Sequence, residues 1–220
     1  MTGRDKQLLL DVIRHGQPEG GDILRGRIDP PLTDLGWQQM RTATGLMPSG
    51  PHTHTPAWTH IVSSPLQRCR AFAEAAADEL KLRSRLSIND QWVEIDYGDW
   101  DGMPIEQWRN EAKDQFSAFK TDLSALAPPN GERYIDFRDR IVRAWSGLRD
   151  YPADSHVLLV THGGVLRVIL PLVLGMPFNA SAPLHIPFAS FSRLQISFRK
   201  DKAVATLLFH NAAEHPMPAG

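Results

Sequence analysis

Val157, Leu158, Leu159 and Val160 follow one another between His156 and Thr161, and the chain then runs straight into His162-Gly163-Gly164. A strand that is apolar at every position has no side to give to water. It must be covered on both faces, which is the condition of a strand in a parallel sheet held between layers of helices. The glycine pair opens a helix that the spacing carries to about Gly175. Strand, polar cluster, helix is therefore the unit this chain is built from.

The unit recurs nearer the N-terminus. Gln7 to Ile13 is a compact apolar run closed by Arg14-His15-Gly16. A loop rich in Gly and Pro follows from Gln17 to Pro31, after which Thr33 is placed to cap a helix with apolar positions Leu35, Met40, Ala43 and Leu46. His60-Ile61-Val62-Ser63 is a short strand leading into Ser64-Pro65-Leu66-Gln67-Arg68, with Pro65 in the first turn of an Ala-rich helix to about Leu80. Leu86 to Ile88 is a weaker third strand. Leu194 to Phe198 and Ala203 to Phe209 read as two strands joined by the charged turn Arg199-Lys200-Asp201. Between Gly102 and Leu148 no strand is expected, because Ile105, Trp108, Ala112, Phe116 and Phe119 keep helical spacing. The predicted architecture is an α/β single-domain three-layer sandwich over residues 1–220. It has a mainly parallel sheet with helices on both faces, an antiparallel edge near the C-terminus and a helical insertion, about 102–148, over the active-site end.

Composition narrows the function. Lys and Arg number 24 against 25 Asp and Glu, a net charge of -1, so no general field draws in nucleic acid or an anionic membrane and any anion site must be local. The single cysteine, Cys69, excludes an internal disulfide and a cysteine-built zinc site, and reads as a small buried helix residue. The apolar run from Leu8 to Ile13 is too short for a signal-peptide core or a membrane span, so a cytoplasmic protein with neither nucleic-acid nor membrane partners is expected. His52-Thr53-His54 offers two imidazoles without a third ligand and reads as a solvated loop, so no metal and no cofactor are predicted.

Each polar cluster sits at the carboxyl end of a predicted strand, where open parallel sheets bind ligands. Two arginines, Arg14 and Arg68, and two histidines, His15 and His162, are thereby delivered to one place. Guanidinium forks match phosphate oxygens, and the helix opening at Gly163 adds backbone N–H groups and a partial positive charge. Such a pocket suits a phosphate.

These clusters resemble the motifs of the histidine phosphatase superfamily, which includes phosphoglycerate mutases and many small phosphatases. Besides Arg14-His15-Gly16, Asp29-Pro30-Pro31-Leu32-Thr33-Asp34-Leu35-Gly36 is similar to the family's first helix start, and Ser63-Ser64-Pro65-Leu66-Gln67-Arg68 to its second-arginine motif. Glu94 to Gly102 is similar to its acid motif and Thr161-His162-Gly163-Gly164 to its second-histidine motif. The resemblance implies His15 as nucleophile, Glu94 as proton donor, and Arg14, Arg68 and His162 as the phosphate clamp. Gly163 and Gln17 are further substrate-binding candidates, and Arg25 and Arg27 read either as supplements to the clamp or as loop charges. It also implies a metal-independent phosphomonoester hydrolase.

Some positions depart from the family pattern. Gly21 stands where many members have a phosphate-binding Asn, and Asn130-Gly131-Glu132 replaces a more usual Gly-Gly-Glu. Tyr97-Gly98-Asp99-Trp100-Asp101-Gly102 resembles the phosphatase branch more than the mutase form. Arg25-Gly26, Gly36 to Met40 and the Cys69 region resemble the alpha-ribazole phosphatases of cobalamin synthesis, which implies alpha-ribazole 5'-phosphate as substrate. Phosphoglycerate mutase or sugar-phosphate phosphatase is the alternative, and a phosphoprotein-recognising regulatory module is the alternative of another class. The aromatic set Trp108, Phe116, Phe119, Tyr134 and Phe137 reads mostly as core.

Overall fold

Leu8, Leu10 and Val12 on one side of the first strand and Ile13 on the other are all buried, which places β1 (Lys6–Arg14) inside a sheet covered on both faces. The computed structural model describes residues 6–46, 57–199 and 202–212. Its sheet has six strands in the order β3 (Leu86–Ile88), β2 (His60–Ser63), β4 (Ser155–Thr161), β1, β5 (Phe191–Arg199) and β6 (Lys202–Ala212). The strands β3, β2, β4 and β1 are mutually parallel, with Arg14 opposite Thr161 and Ser63 opposite Val160. All three polar clusters therefore leave the sheet at the same end. β5 runs antiparallel to β1 and β6 antiparallel to β5, giving the expected antiparallel edge. β5 starts earlier than its apolar pattern suggests, because Arg193 is buried within it by pairing with Asp11 of β1.

Helices α1 (Asp34–Thr44) and α2 (Gln67–Glu79) cover one face, where Met40, Cys69, Phe72 and Ala73 pack with Ile13, Ile61, Leu158 and Val160. Helices α5 (Tyr134–Ser146) and α6 (Gly163–Leu174) cover the other, where Phe137, Ile141, Leu166 and Ile169 pack with Leu10, Val12, Val157 and Leu159. Each such side chain removed from water contributes roughly 1.5–3 kcal/mol before its entropy cost.

The stretch 102–148 divides in two. α5 belongs to the sandwich itself, whereas α3 (Ile105–Glu111) and α4 (Lys113–Phe119) add partly buried aromatics to its margin. Thr33 caps α1 as expected, its hydroxyl accepting from Gly36 N–H at 2.9 Å, a cap worth ~1 kcal/mol. Leu35 corrects the expected apolar face, since it is 51% exposed in the outward first turn. α2 begins at Gln67 and not at Pro65, and its free backbone N–H is capped from afar by the Asp29 carboxylate at 2.6 Å. His52-Thr53-His54 and the turn residues Lys200 and Asp201 lie outside the described residues. Among the described residues no helix is long and apolar enough to cross a membrane.

Candidate active site

The parallel ladder extends past the strands into the clusters. His15 N–H donates to Thr161 O at 2.9 Å and Ser64 N–H to Val160 O at 3.0 Å, which sets His15, Ser64 and His162 side by side. The rings of His15 and His162 meet edge to face with centroids 5.3 Å apart. His15 Nδ1 donates to Gly16 O at 2.8 Å. A carbonyl can only accept, so Nδ1 carries the ring proton and Nε2 keeps its lone pair. Burial, then the charges of Arg68 and Arg14, hold the imidazole well below its ordinary 6.5, against the smaller opposing effect of the Gly16 bond. At neutral pH His15 is thus an uncharged ring with one nucleophilic nitrogen.

Its position is set by backbone touching backbone. A Cβ on Gly16 would stand 2.1 Å from Gly36 O, so the loop after β1 is pressed against the start of α1. The Gln17 backbone is held in this seam: its N–H donates to Gln39 Oε1 at 2.9 Å and its carbonyl accepts from Thr33 N–H at 2.9 Å.

Arg68 is completely buried and donates to Ile28 O at 2.8 Å, Gly26 O at 2.9 Å and Asp29 Oδ1 at 3.3 Å. The loop that supplies those carbonyls is held by Asp101, whose carboxylate accepts from the N–H groups of Gly26, Arg27 and Ile28 at 2.7, 2.6 and 2.8 Å. Arg14 donates to Ile186 O at 2.7 Å and lies over the Phe188 ring, 4.3 Å from its centroid. Burial lowers it to about 10, which leaves it a cation at neutral pH. The buried Nε of each arginine has no hydrogen-bond partner among the described residues. Buried donors left this way call for a bound group or a function.

His162 precedes α6 and is hydrogen-bonded through Nε2 to Ser64 Oγ at 2.7 Å. Burial, then Arg68 and His15, hold it well below 6.5 as well. Cys69, whose thiol donates to Thr161 O at 3.3 Å, is buried behind it, and that burial pushes the thiol up, away from reactivity.

Glu94 is buried and accepts from Ile95 N–H and from Gly164 N–H, both at 3.0 Å. A Cβ on Gly164 would come within 2.1 Å of Glu94 Oε1, so the second glycine of the pair is what admits the carboxyl. Burial raises Glu94 above its ordinary range, against the pull of those two N–H groups and of Arg68 and Arg14. The neighbouring acids are spent on turns: Asp96 accepts from Gly98 N–H at 2.9 Å and Asp99 from Asn130 at 2.9 Å. Glu132, of the Asn130-Gly131-Glu132 variation, pairs with Arg140 at 2.7 Å, and Arg140 donates to Val93 O at 3.0 Å and so steadies the segment carrying Glu94.

Arg14, His15, Glu94 and Gly163 line a cavity of about 350 Å³, with His162 packed against His15 from the buried side. The charge of Arg68 acts on His15, His162 and Glu94 alike. Arg27 does not line this cavity, its side chain being 43% exposed and 3.8 Å from Asp96, although its charge acts on His162. Arg25 does line the cavity, yet its guanidinium donates to the carbonyls of Ile23, Glu19 and Gly21 and organises the loop where the family's Asn would stand. Sequence reasoning passed over Ser64, Tyr97, Arg167 and Phe188. Arg167 lies one helical turn beyond Gly163, which was a usable signal, whereas nothing local marks Phe188 as the ring beneath Arg14.

A second cavity of about 500 Å³ shares Tyr97, Trp108, Arg109, Gly164 and Arg167 with the first. Trp108, Phe116, Phe119, Tyr134 and Phe137 belong to the core cluster or pack against it, as expected, and also line this cavity. A further cavity of about 740 Å³, between His60, Trp92, Arg143 and Tyr151, contains none of the clustered residues. Among the described residues no group of three or more His, Cys, Asp or Glu is placed to hold a metal ion.

With this geometry in view, the sequence model of the histidine phosphatase superfamily (branch 1) matches residues 10–208. The chain belongs to that family. Among its relatives, the bifunctional protein Rv2228c of Mycobacterium tuberculosis is 31% identical over 199 residues, 86% of this chain and 50% of that one. The chain thus spans about half the length of that relative. The adenosylcobalamin/alpha-ribazole phosphatase of Escherichia coli is 24% identical over 188 residues, 84% of this chain and 89% of that one. The crystal structure of the alpha-ribazole phosphatase from Shigella flexneri superposes with a TM-score of 0.76 at 23% identity, covering 96% of this chain and all of the other, and shows the same fold.

Proposed function

We propose that this histidine phosphatase superfamily member hydrolyses small-molecule phosphomonoesters through a phosphohistidine on His15. The observation that carries the reading is the neutral His15 ring, with Nε2 as its unprotonated nitrogen, at a cavity lined by Arg14 and the buried Glu94 carboxyl and within reach of the charge of buried Arg68. In the first step Nε2 attacks phosphorus, the bond to the ester oxygen breaks, and Glu94 delivers its proton to that oxygen. Arg14, Arg68, His162 and the Gly163 N–H hold the remaining phosphate oxygens as charge spreads over them, while the Gly164 N–H stays on Glu94. In the second step Glu94 takes a proton from water, whose oxygen displaces the imidazole and returns Nε2 to its starting state. Alpha-ribazole 5'-phosphate is the named substrate favoured by the likeness in the first loop and the Cys69 region, and serves as the reference compound.

Rapid quench with a labelled phosphomonoester tests the reading. Acid-labile phosphate is expected on the protein and absent from His15→Ala. Equal labelling of the two would overturn it, and transfer of label to a second sugar acid without phosphate release would establish a mutase instead.

A further inference from the structure

The second, outer cavity adjoins the catalytic one, with Tyr97, Trp108, Arg109, Gly164 and Arg167 lining both. Anything esterified to a phosphate held at His15 has this space in front of it. Two properties set it apart from ordinary core. Its apolar lining is dominated by rings, and some form edge-to-face pairs: Trp108 with Phe116 at 5.1 Å, and Phe119 with Tyr134 at 4.7 Å. Its charged lining is entirely basic: Arg109, Lys120 and Arg167, with no Asp or Glu among the residues that face it. Arg167 spends one bond on Ser181 O at 2.6 Å, while Arg109 and the Lys120 ammonium have no ion pair among the described residues. The buried indole N–H of Trp108 and the buried hydroxyl of Tyr134, both on this wall, also lack partners among the described residues. Flat faces favour an aromatic guest, and unopposed cations beside unpaired donors favour one that carries acceptors and negative charge.

We propose that the outer cavity seats the leaving group of the substrate, and that this group is an aromatic ring bearing an anionic substituent of its own, held by Arg109 and Lys120. The inference rests on the phosphatase reading above and replaces alpha-ribazole 5'-phosphate as the favoured substrate, since its uncharged nucleoside would leave these two cations unused.

Two esters of matched shape separate the possibilities: 4-carboxyphenyl phosphate and its neutral counterpart 4-carbamoylphenyl phosphate. The carboxylate should be favoured in kcat/KM by about tenfold, the effect of one good charge-assisted contact at a partly exposed site. Replacing both exposed cations, Arg109→Gln with Lys120→Gln, should bring that ratio close to one. Ala182→Trp, which fills the cavity from an exposed rim position, should lower kcat/KM for both aryl esters relative to glycerol 3-phosphate. Calorimetric titration with 4-carboxybenzylphosphonate and 4-carbamoylbenzylphosphonate reads the same preference without turnover. Equal kcat/KM together with equal Kd for each pair would overturn the assignment of the cavity. Tighter binding of the carboxylated phosphonate with no phosphate release from any ester would overturn the phosphatase reading and leave the anion site standing.

Discussion

Two buried ionic clusters lie on this sheet, and they are built on opposite principles. In the middle of β1, Asp11 is fully buried and its carboxylate accepts from Arg193 Nε at 2.7 Å, His156 at 2.8 Å and the Trp58 indole at 2.7 Å. Burial alone would raise this carboxyl, but the bonds from Arg193 and His156 outweigh it and hold Asp11 below 3.8. Three residues along the same strand, Arg14 is half-buried with its buried Nε–H unpaired among the described residues, and the fully buried Arg68 matches it from α2. The first cluster neutralises itself. The second is a concentration of positive charge, in which Arg68 pairs with Asp29 at 3.3 Å and the carboxyl nearest His15, Glu94, is driven by burial toward its neutral form. A satisfied cluster adds to cohesion and specificity of packing, whereas an unsatisfied one holds free energy for a ligand.

That contrast can be broken from either side. Glu94→Gln should lower the rate of His15 phosphorylation by alkyl phosphates roughly 10²- to 10⁴-fold, with a much smaller loss for p-nitrophenyl phosphate, whose leaving group departs without a proton. Pre-steady-state release of alcohol and phenol measures this, and equal losses would move the donor's role away from Glu94. Asp11→Ala should leave kcat/KM nearly unchanged in the folded fraction while lowering stability by about 3–5 kcal/mol, because Arg193 would remain buried without its partner. Denaturant titration beside an activity assay reads both numbers, and lost activity at full stability would erase the distinction drawn above.

Arg14→Met should do the reverse. Removal of one preorganised charge costs roughly 10²- to 10³-fold in kcat/KM, while stability shifts by only about 1 kcal/mol, since the burial cost of the guanidinium disappears with its bond to Ile186 O.

The smallest effect is the pH dependence of stability. His15 and His162 both have folded values well below 6.5, so in the interval between those values and 6.5 the unfolded chain binds more protons, and stability falls as pH falls. Each histidine adds up to ~1.4 kcal/mol per pH unit there. Glu94 works against them, because its raised folded value makes acid favour the folded form. The Asp11 cluster holds until the pH drops through a folded value below 3.8. His162→Gln should therefore flatten the decline in Tm between about pH 6 and about pH 5 without touching the transition at lower pH, a comparison that thermal melts across a buffer series supply.

Much of this was legible along the chain. The apolar run at Val157 to Val160 has one physical solution, burial on both faces, and that places His162 at a strand end beside those of Arg14 and Ser63. Thr33 as a cap and the glycines at 163 and 164 are equally local, because a cap or a helix start is decided within one turn. Helical spacing in residues 105 to 119 was legible too, but spacing reports which side chains share a face and is silent on whether that face meets packing or a cavity.

The sequence by itself determined the chemistry of this protein: which residues stand at the ends of which strands, and hence which groups can meet a phosphate. Only the tertiary structure decided what those groups are like when they meet. Burial, not residue type, separates neutral His15 from a surface histidine and lifts the Glu94 carboxyl above its ordinary range, as the proposed acid requires. Placement of Phe188 under Arg14, of Asp101 behind the loop that grips Arg68, and of three unopposed cations around an aromatic hollow depends on contacts between segments far apart in the chain. The reason is one of range: secondary structure answers to neighbours within a few residues, while desolvation and charge balance are set by everything within several ångströms, whichever part of the chain it comes from.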